Sequence, residues 1–230
     1  MITWTIGAGG LLGRAITRRL PAGFDPGPIA WDDPQQAAEQ LRAAAAQFLD
    51  TAGQGRWAII WAAGNAATAS TEADAAAELA TFTALIDAIV EARPRGHGAF
   101  FLSSSAGGVY AGSSSPPFDA TSPTHPLSPY GELKRAQEDL ARERLAGTCS
   151  VVIGRIANLY GPGQNLEKLQ GLISRLALAT VTKQPINMFV SLDTMRDYIY
   201  SDDAAAIVVH WVHRALDAPA PQAHVVVIAS

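Results

Sequence analysis

The sequence predicts an α/β protein built on a doubly wound parallel sheet. Short apolar runs alternate with longer amphipathic stretches along the whole chain, the order expected when each crossover between parallel strands is helical. The run Trp57 to Ala63 is apolar throughout, as in a strand buried on both faces. The first apolar run ends in a cluster of glycines and is followed at once by residues with helical spacing.

In chain order, Ile2 to Ile6 is the first strand, Gly7, Gly9, Gly10 and Gly13 lie in or beside a tight turn, and Leu11 to Leu20 is a helix. Pro28 to Trp31 reads as a second strand that ends at Asp32 and Asp33. The alanine-rich stretch Pro34 to Leu49 follows as a helix anchored by Leu41, Phe48 and Leu49. Trp57 to Ala63 is a strand, Thr71 to Ala92 a long helix, and Ala99 to Leu102 a strand running into Ser103, Ser104 and Ser105. A loop rich in Gly, Ser and Pro lasts to Pro129, where Ser128 and Pro129 suit the cap and first turn of a helix that stops before Gly147. Ser150 to Ile156 is its partner strand. A helix from about Leu166 to Thr180, an irregular stretch through Asp197, a helix from about Asp202 to Leu216 and a strand from His224 to Ile228 complete the pattern. No internal repeat or linker divides it, so residues 1–230 are expected to form a single domain.

Composition narrows the function classes. At 230 residues the chain can bury roughly 70–75% of its unfolded surface. Hydrophobic residues make up 48% and charged residues 17%, globular values that exclude a disordered chain. The net charge is −4 and no basic run occurs, so a nucleic-acid partner is not expected. No uncharged apolar stretch approaches about 18 residues, and the N-terminus has no charged segment leading into a long apolar one, so neither a membrane partner nor a secretory signal is expected. The single cysteine, Cys149, fits a buried position in a reducing compartment, and the expected location is cytoplasmic. His210 and His213 are three apart on a helix but lack a third ligand, so no metal site is expected.

Two motifs carry chemistry. Gly7, Gly10 and Gly13 fall between a strand and a helix, where missing side chains let the backbone approach a pyrophosphate. Gly7, Gly10, Leu11, Leu12 and Gly13 are therefore candidate cofactor-binding residues, and the absence of a following lysine excludes a triphosphate loop. Nineteen positions after Gly13, Asp32 can accept both ribose hydroxyls and repel a 2′-phosphate, which favours NAD and makes NADP less expected. Asp32 can equally be a helix cap before Pro34, and Asp33 can exchange roles with it.

The second motif is Tyr130 with Lys134, four apart and so on one helix face. A phenol is a weak base at neutral pH, and a neighbouring ammonium favours the phenolate. With five tyrosines and three lysines in the chain, about 0.07 chance matches to this spacing are expected.

Together with four further segments these motifs resemble the extended short-chain dehydrogenase/reductases, the NAD-dependent epimerase/dehydratase family. The additional segments are Ile59 to Gly64 with Ala62, Ala63 and Gly64 at its end, Ser103 to Tyr110, and the pair formed by Arg155, Asn158, Tyr160, Gly161, Pro162 and Gly163 with Arg196, Asp197, Tyr198, Ile199, Tyr200, Asp202 and Asp203. The resemblance implies a Rossmann-like fold and a soluble NAD-dependent enzyme. Ala62, Ala63, Gly64, Tyr130 and Lys134 would contact the cofactor, and Tyr130 would act as general acid/base with Lys134 on the nicotinamide ribose. Ser105, with Ser104 in reserve, would hydrogen-bond the reacting oxygen. Asn158 and Arg196 would contact a substrate, expected to be a nucleotide sugar, although the Arg-Asp-Tyr segment can also serve to fix a loop.

The resemblance further implies a C-terminal continuation that completes the substrate lobe, so a reduced or truncated lobe is expected, with residues 162–200 supplying part of it. Epimerisation through a transient ketone is the leading reaction. A net NAD(P)H-dependent reductase and a non-catalytic dinucleotide-binding regulator are the alternatives, and a 4,6-dehydratase is disfavoured because Thr-Asp-Glu is missing before Val109 and Tyr110. A homodimer is possible.

Overall fold

The computed structural model describes residues 1–20, 23–64, 70–166, 171–187, 191 and 193–230. Five parallel strands form one sheet in the order β1 (Ile2–Ile6), β2 (Trp57–Trp61), β3 (Gly98–Ser105), β4 (Ser150–Ile156) and β7 (Ala223–Ile228). Side chains alternate across it as the strand repeat dictates. Trp57, Ile59, Trp61, Phe100, Leu102, Val151 and Ile153 enter one core. Ala58, Ile60, Ala99, Phe101 and Val152 enter the other.

The first core is closed by α2 (Pro34–Ala52), α3 (Glu72–Ala92) and α5 (Pro129–Arg144), the second by α1 (Leu11–Thr17) and α7 (Ser201–Asp217). Helices on both faces make the sheet doubly wound, as expected. Because α1 leaves β1 on one face and α3 leaves β2 on the other, a crevice opens at the C-terminal ends of these two strands.

The expected helix ends hold for chemical reasons. Ser128 accepts a hydrogen bond from the Gly131 amide at 3.2 Å, and Pro129 opens α5. Thr71 and Asp74 form a reciprocal capping box on α3, with bonds of 3.2 and 2.9 Å.

Four expectations need correction. Pro28 to Trp31 forms no strand, which leaves β1 at the sheet edge. Pro26 and Pro28 lack the amide proton a ladder needs, Gly27 takes φ +86°, and the Ala30 amide is taken by the Gln40 side chain at 2.8 Å. Phe24 supplies the backbone bond to β1, donating to Thr3 O at 2.7 Å. The stretch read as irregular contains a parallel strand that pairs with the end of another segment, β5 (Asn158–Tyr160) with β6 (Tyr198–Tyr200). A short helix, α4 (Ala106–Val109), follows β3 directly. The helix expected from Leu166 is α6 (Leu172–Thr182), none of whose residues is buried, and residues 167–170 lie outside the described ones.

Candidate active site

The glycine turn is held by close backbone packing. Gly7 has φ +87°, and a Cβ there would lie 2.6 Å from Ala63 N, so the turn rests directly on the end of β2. The Gly10 amide donates to Gly7 O at 2.9 Å, and the Ala62 amide to Ile6 O at 2.9 Å. Leu12 turns its side chain into the core, which leaves only its backbone for the turn's surface. Beside the turn a cavity of about 490 Å³ opens between the edge of β1 and the segment from Gly23 to Trp31, lined in part by Gly7, Ala8, Gly9, Phe24, Pro28 and Trp31.

Asp32 and Asp33 separate into distinct roles. Asp33 caps α2, accepting from the Gln35 and Gln36 amides at 3.1 Å each. Asp32 follows Trp31, is exposed, and accepts no hydrogen bond from the described residues. The Asp32 carboxylate is thus uncommitted among the described residues, but no strand presents it and it does not line the cavity, where the aspartate is Asp25.

The two serines also differ in their partners. Ser104 is buried, and its hydroxyl donates to Glu138 Oε1 at 2.5 Å. Ser105, at the end of β3, accepts the Gly108 amide at 3.1 Å while capping α4. That bond uses a lone pair and leaves the Ser105 proton free to be donated elsewhere. A Cβ at Gly108 would lie 3.2 Å from Tyr130 Cε1 and 3.4 Å from Ser105 Oγ, so Ser105 and Tyr130 flank one glycine. Gly131 admits the same approach from α5, since its Cβ would meet Gly108 O at 2.6 Å.

Lys134 is buried, with Nζ 5.7 Å from the Tyr130 ring centroid. Its ammonium donates to Gln137 Oε1 at 3.0 Å and pairs with Glu78 of α3 at 3.5 Å. Glu78 also approaches Gly64, whose Cβ would lie 3.0 Å from its carboxylate. The chain ends of β2, β3 and α5 thereby converge on Ala62 to Gly64, Ser105, Tyr130 and Lys134. Asn158 and Arg196 are set on the β5–β6 side. Asn158 donates its amide to Asp197 O at 2.8 Å, a bond that fixes the segment next to Arg196, whose side chain is exposed.

Sequence reasoning missed Glu78, which no spacing ties to Lys134 because it lies on another helix. It also missed Glu138, although Tyr130, Lys134 and Glu138 repeat at four-residue intervals on one helix face. Glu138 pairs with Arg155 at 2.7 Å in the interior. Burial alone would lower the Arg155 pKa, but the hydrogen bonds from Arg155 to Glu138 and Tyr110 outweigh it and hold the guanidinium above its usual range. Among the described residues, no group of three side chains could hold a metal ion and no helix is long and apolar enough to cross a membrane.

The fold has counterparts among solved structures, and the sequence has curated relatives. Curated relatives include dTDP-L-rhamnose 4-epimerase of Burkholderia thailandensis, 33% identical over 102 residues, or 44% of this chain and 28% of that protein. Another is dTDP-4-dehydro-6-deoxyglucose reductase of Escherichia coli, 33% identical over 103 residues, or 43% of this chain and 32% of that one. These matches span about a third of the relatives' length. Among solved structures, UDP-glucose 4-epimerase of Thermotoga maritima, determined with UDP-glucose, superposes on the whole chain with a TM-score of 0.80 at 18% identity, covering 77% of that structure. The Thermus thermophilus UDP-glucose 4-epimerase complex with NAD gives 0.73 at 19%, again over the whole chain and 78% of that structure. The family profile matches residues 5–229, and the chain belongs to the NAD dependent epimerase/dehydratase family.

Proposed function

We propose that this chain is an NAD-dependent epimerase acting on a nucleotide sugar through a transient ketone. The observation that carries the reading is that Ser105 and Tyr130 flank Gly108 with Lys134 Nζ 5.7 Å from the Tyr130 ring centroid. The turn residues fit a dinucleotide, because the space that side chains would fill at Gly7 and Gly13 is backbone contact and the adjoining cavity of about 490 Å³ suits an adenosine. Gly7, Gly10, Leu11, Leu12 and Gly13 would hold the pyrophosphate by backbone approach, Asp32 the adenosine ribose, and Ala62, Ala63 and Gly64 the nicotinamide half.

When bound, the nicotinamide would exchange a hydride with the sugar carbon. Tyr130 would take the proton from the sugar hydroxyl as the carbonyl forms and return it when the ketone is reduced from the other face. Ser105, whose proton is free to be donated, would hydrogen-bond the same oxygen. Lys134 would bind the ribose while remaining in contact with Gln137 and Glu78. Asn158, Arg196 and residues 162–200 would address the substrate, Asn158 chiefly by holding the Asp197 carbonyl.

Association of two copies belongs to this reading. The groove of about 580 Å³ between α3 and α5, where Leu79, Leu127 and Leu133 lie, is the apolar surface it would use. Incubation of the chain with NAD and a panel of nucleotide sugars, followed by chromatography of the products, tests the function, and sedimentation tests the association. Interconversion of two epimers with no net change in NADH supports the reading. Stoichiometric NADH consumption would instead make the chain a reductase, a second reading favoured by the similarity to the Escherichia coli reductase.

A further inference from the structure

The elements bearing Ser105 and Tyr130 meet on a single buried ion pair. Arg155 of β4 and Glu138 of α5 have side chains only 6% and 2% exposed. Nη2 donates to Oε2 at 2.7 Å, and Nε donates to both carboxylate oxygens at 3.1 and 3.2 Å. Ser104, the neighbour of Ser105 in β3, donates to the same carboxylate at Oε1, 2.5 Å away. The remaining guanidinium nitrogen, Nη1, donates to the Tyr110 hydroxyl at 2.7 Å, and that hydroxyl donates to the backbone carbonyl of Asp119 at 2.6 Å.

Each direction in this chain is forced. A guanidinium has no acceptor, so the phenol must accept from it, and its one proton then has one destination, the Asp119 carbonyl. The two tyrosines near the site therefore differ in kind. Tyr110 is buried with its proton committed, whereas the Tyr130 hydroxyl has no hydrogen-bond partner among the described residues. The Tyr110 ring is fixed as well, stacked on Phe118 with centroids 4.9 Å apart and 5.1 Å from the Arg155 guanidinium carbon.

What Tyr110 holds is the loop of residues 111–127, which connects α4 to α5. The loop is tied to itself and to α4 by backbone bonds from His125 to Val109 O at 2.8 Å and from Gly112 to His125 O at 2.7 Å. Thr121 and Ser122 donate to the Asp119 carboxylate, which rigidifies the turn whose carbonyl meets Tyr110. Replacing a buried ion pair with apolar residues is often neutral or stabilising, so stability alone gives weak reason for this arrangement. Geometry gives a stronger one, because the pair fixes β3, β4, α5 and the loop at a single point.

We propose that Tyr110 is a positioning residue, a latch through which the Arg155–Glu138 pair fixes the 111–127 loop and with it the spacing of Ser105 and Tyr130 across Gly108. The inference rests on the reading of Ser105 and Tyr130 as reacting groups. Tyr110→Phe tests it, since the ring, its stack and the ion pair stay and only the hydroxyl is lost. Amide hydrogen exchange in residues 113–125 should accelerate about 10-fold or more while β2 and α3 exchange as in the parent. The rate constant kcat should fall about 10- to 100-fold with the Kd for NAD unchanged, as expected for misplaced reacting groups. Arg155→Lys, which keeps a cation beside Glu138 but cannot span both partners, should reproduce both effects and serves if the tyrosine variant does not fold.

Unchanged exchange in 113–125, acceleration spread evenly over the whole chain, or unchanged kcat overturns the latch. Loop-restricted acceleration in a protein whose parent has no turnover upholds the latch and defeats only the assignment of Ser105 and Tyr130.

Discussion

A Cβ on Gly13 would lie 2.1 Å from the carbonyl oxygen of Gly7. The start of α1 thus sits on the turn with no room for a methyl group, and the contact is backbone on both sides, so no side chain can swing away. Gly9, in the same turn, has nothing within 4 Å of its Cβ position. Gly13→Ala should lower stability by about 1–3 kcal/mol, the usual cost of overpacking, and weaken NAD binding at least about 10-fold. Gly9→Ala should leave stability within about 0.5 kcal/mol of the parent. Thermal melts and calorimetric titration of both variants check this, and equal behaviour would contradict the close-packed turn.

The adjacent aspartates allow a second test by division of labour. Asp33→Ala removes the cap of α2 and should cost about 1 kcal/mol without changing the preference between NAD and NADP. Asp32→Ser should leave the melting temperature nearly unchanged but narrow or abolish a preference for NAD, because the carboxylate that would repel a 2′-phosphate is gone. Titration of each variant with both cofactors decides. A preference altered by Asp33→Ala and not by Asp32→Ser would assign the ribose to the wrong residue.

The contrast between these two positions shows what was legible in the sequence. The cap, the glycine turn and the Tyr130/Lys134 spacing are local, set by residues within a turn or two of one another, and each formed where the pattern placed it. The strand expected at Pro28 to Trp31 did not form, because apolar content alone does not supply the amide donors that Pro26 and Pro28 lack. Glu78 beside Lys134 and the Tyr110–Asp119 carbonyl bond depend on tertiary packing between segments. They leave no periodic trace. The commitment of the Ser104 hydroxyl to Glu138, a residue 34 positions away, is likewise tertiary and not visible in the pattern.

Cys149 gives a prediction about pH. Burial pushes its thiol from 9.0 up to about 12, since the thiolate would lose its hydration in the core. The folded state therefore binds the proton more tightly than the unfolded one. Its contribution is complete below pH 9 and is lost as pH rises through 12. Chemical denaturation of Cys149→Ala and the parent across this range should show a steeper alkaline loss for the parent, with other titrating groups common to both. At neutral pH the folded parent should resist maleimide and react only as fast as it unfolds. Rapid labelling of the native protein would contradict the buried thiol.

Tyr130 and Lys134 should separate in a way their helical spacing alone does not reveal. Tyr130→Phe keeps the ring that meets Gly108 and lies 5.7 Å from the ammonium, and its hydroxyl bonds none of the described residues. Its loss should therefore leave stability and NAD affinity unchanged while lowering the rate about 10²–10⁴-fold, the range for removing a general acid or base. Lys134→Met is expected to do more. It takes the cation from Glu78, whose side chain is 12% exposed, and breaking a buried pair by removing one partner costs roughly 3–5 kcal/mol. Weak NAD binding in that variant could reflect lost structure. The double variant Lys134→Met/Glu78→Gln removes both charges, so it should recover much of the stability but none of the NAD affinity. Melting temperature, NAD titration and rate on the three proteins separate the roles. A Tyr130→Phe protein that retains more than about a tenth of the parent rate removes Tyr130 from acid/base duty. A double variant that binds NAD as tightly as the parent removes Lys134 from the ribose.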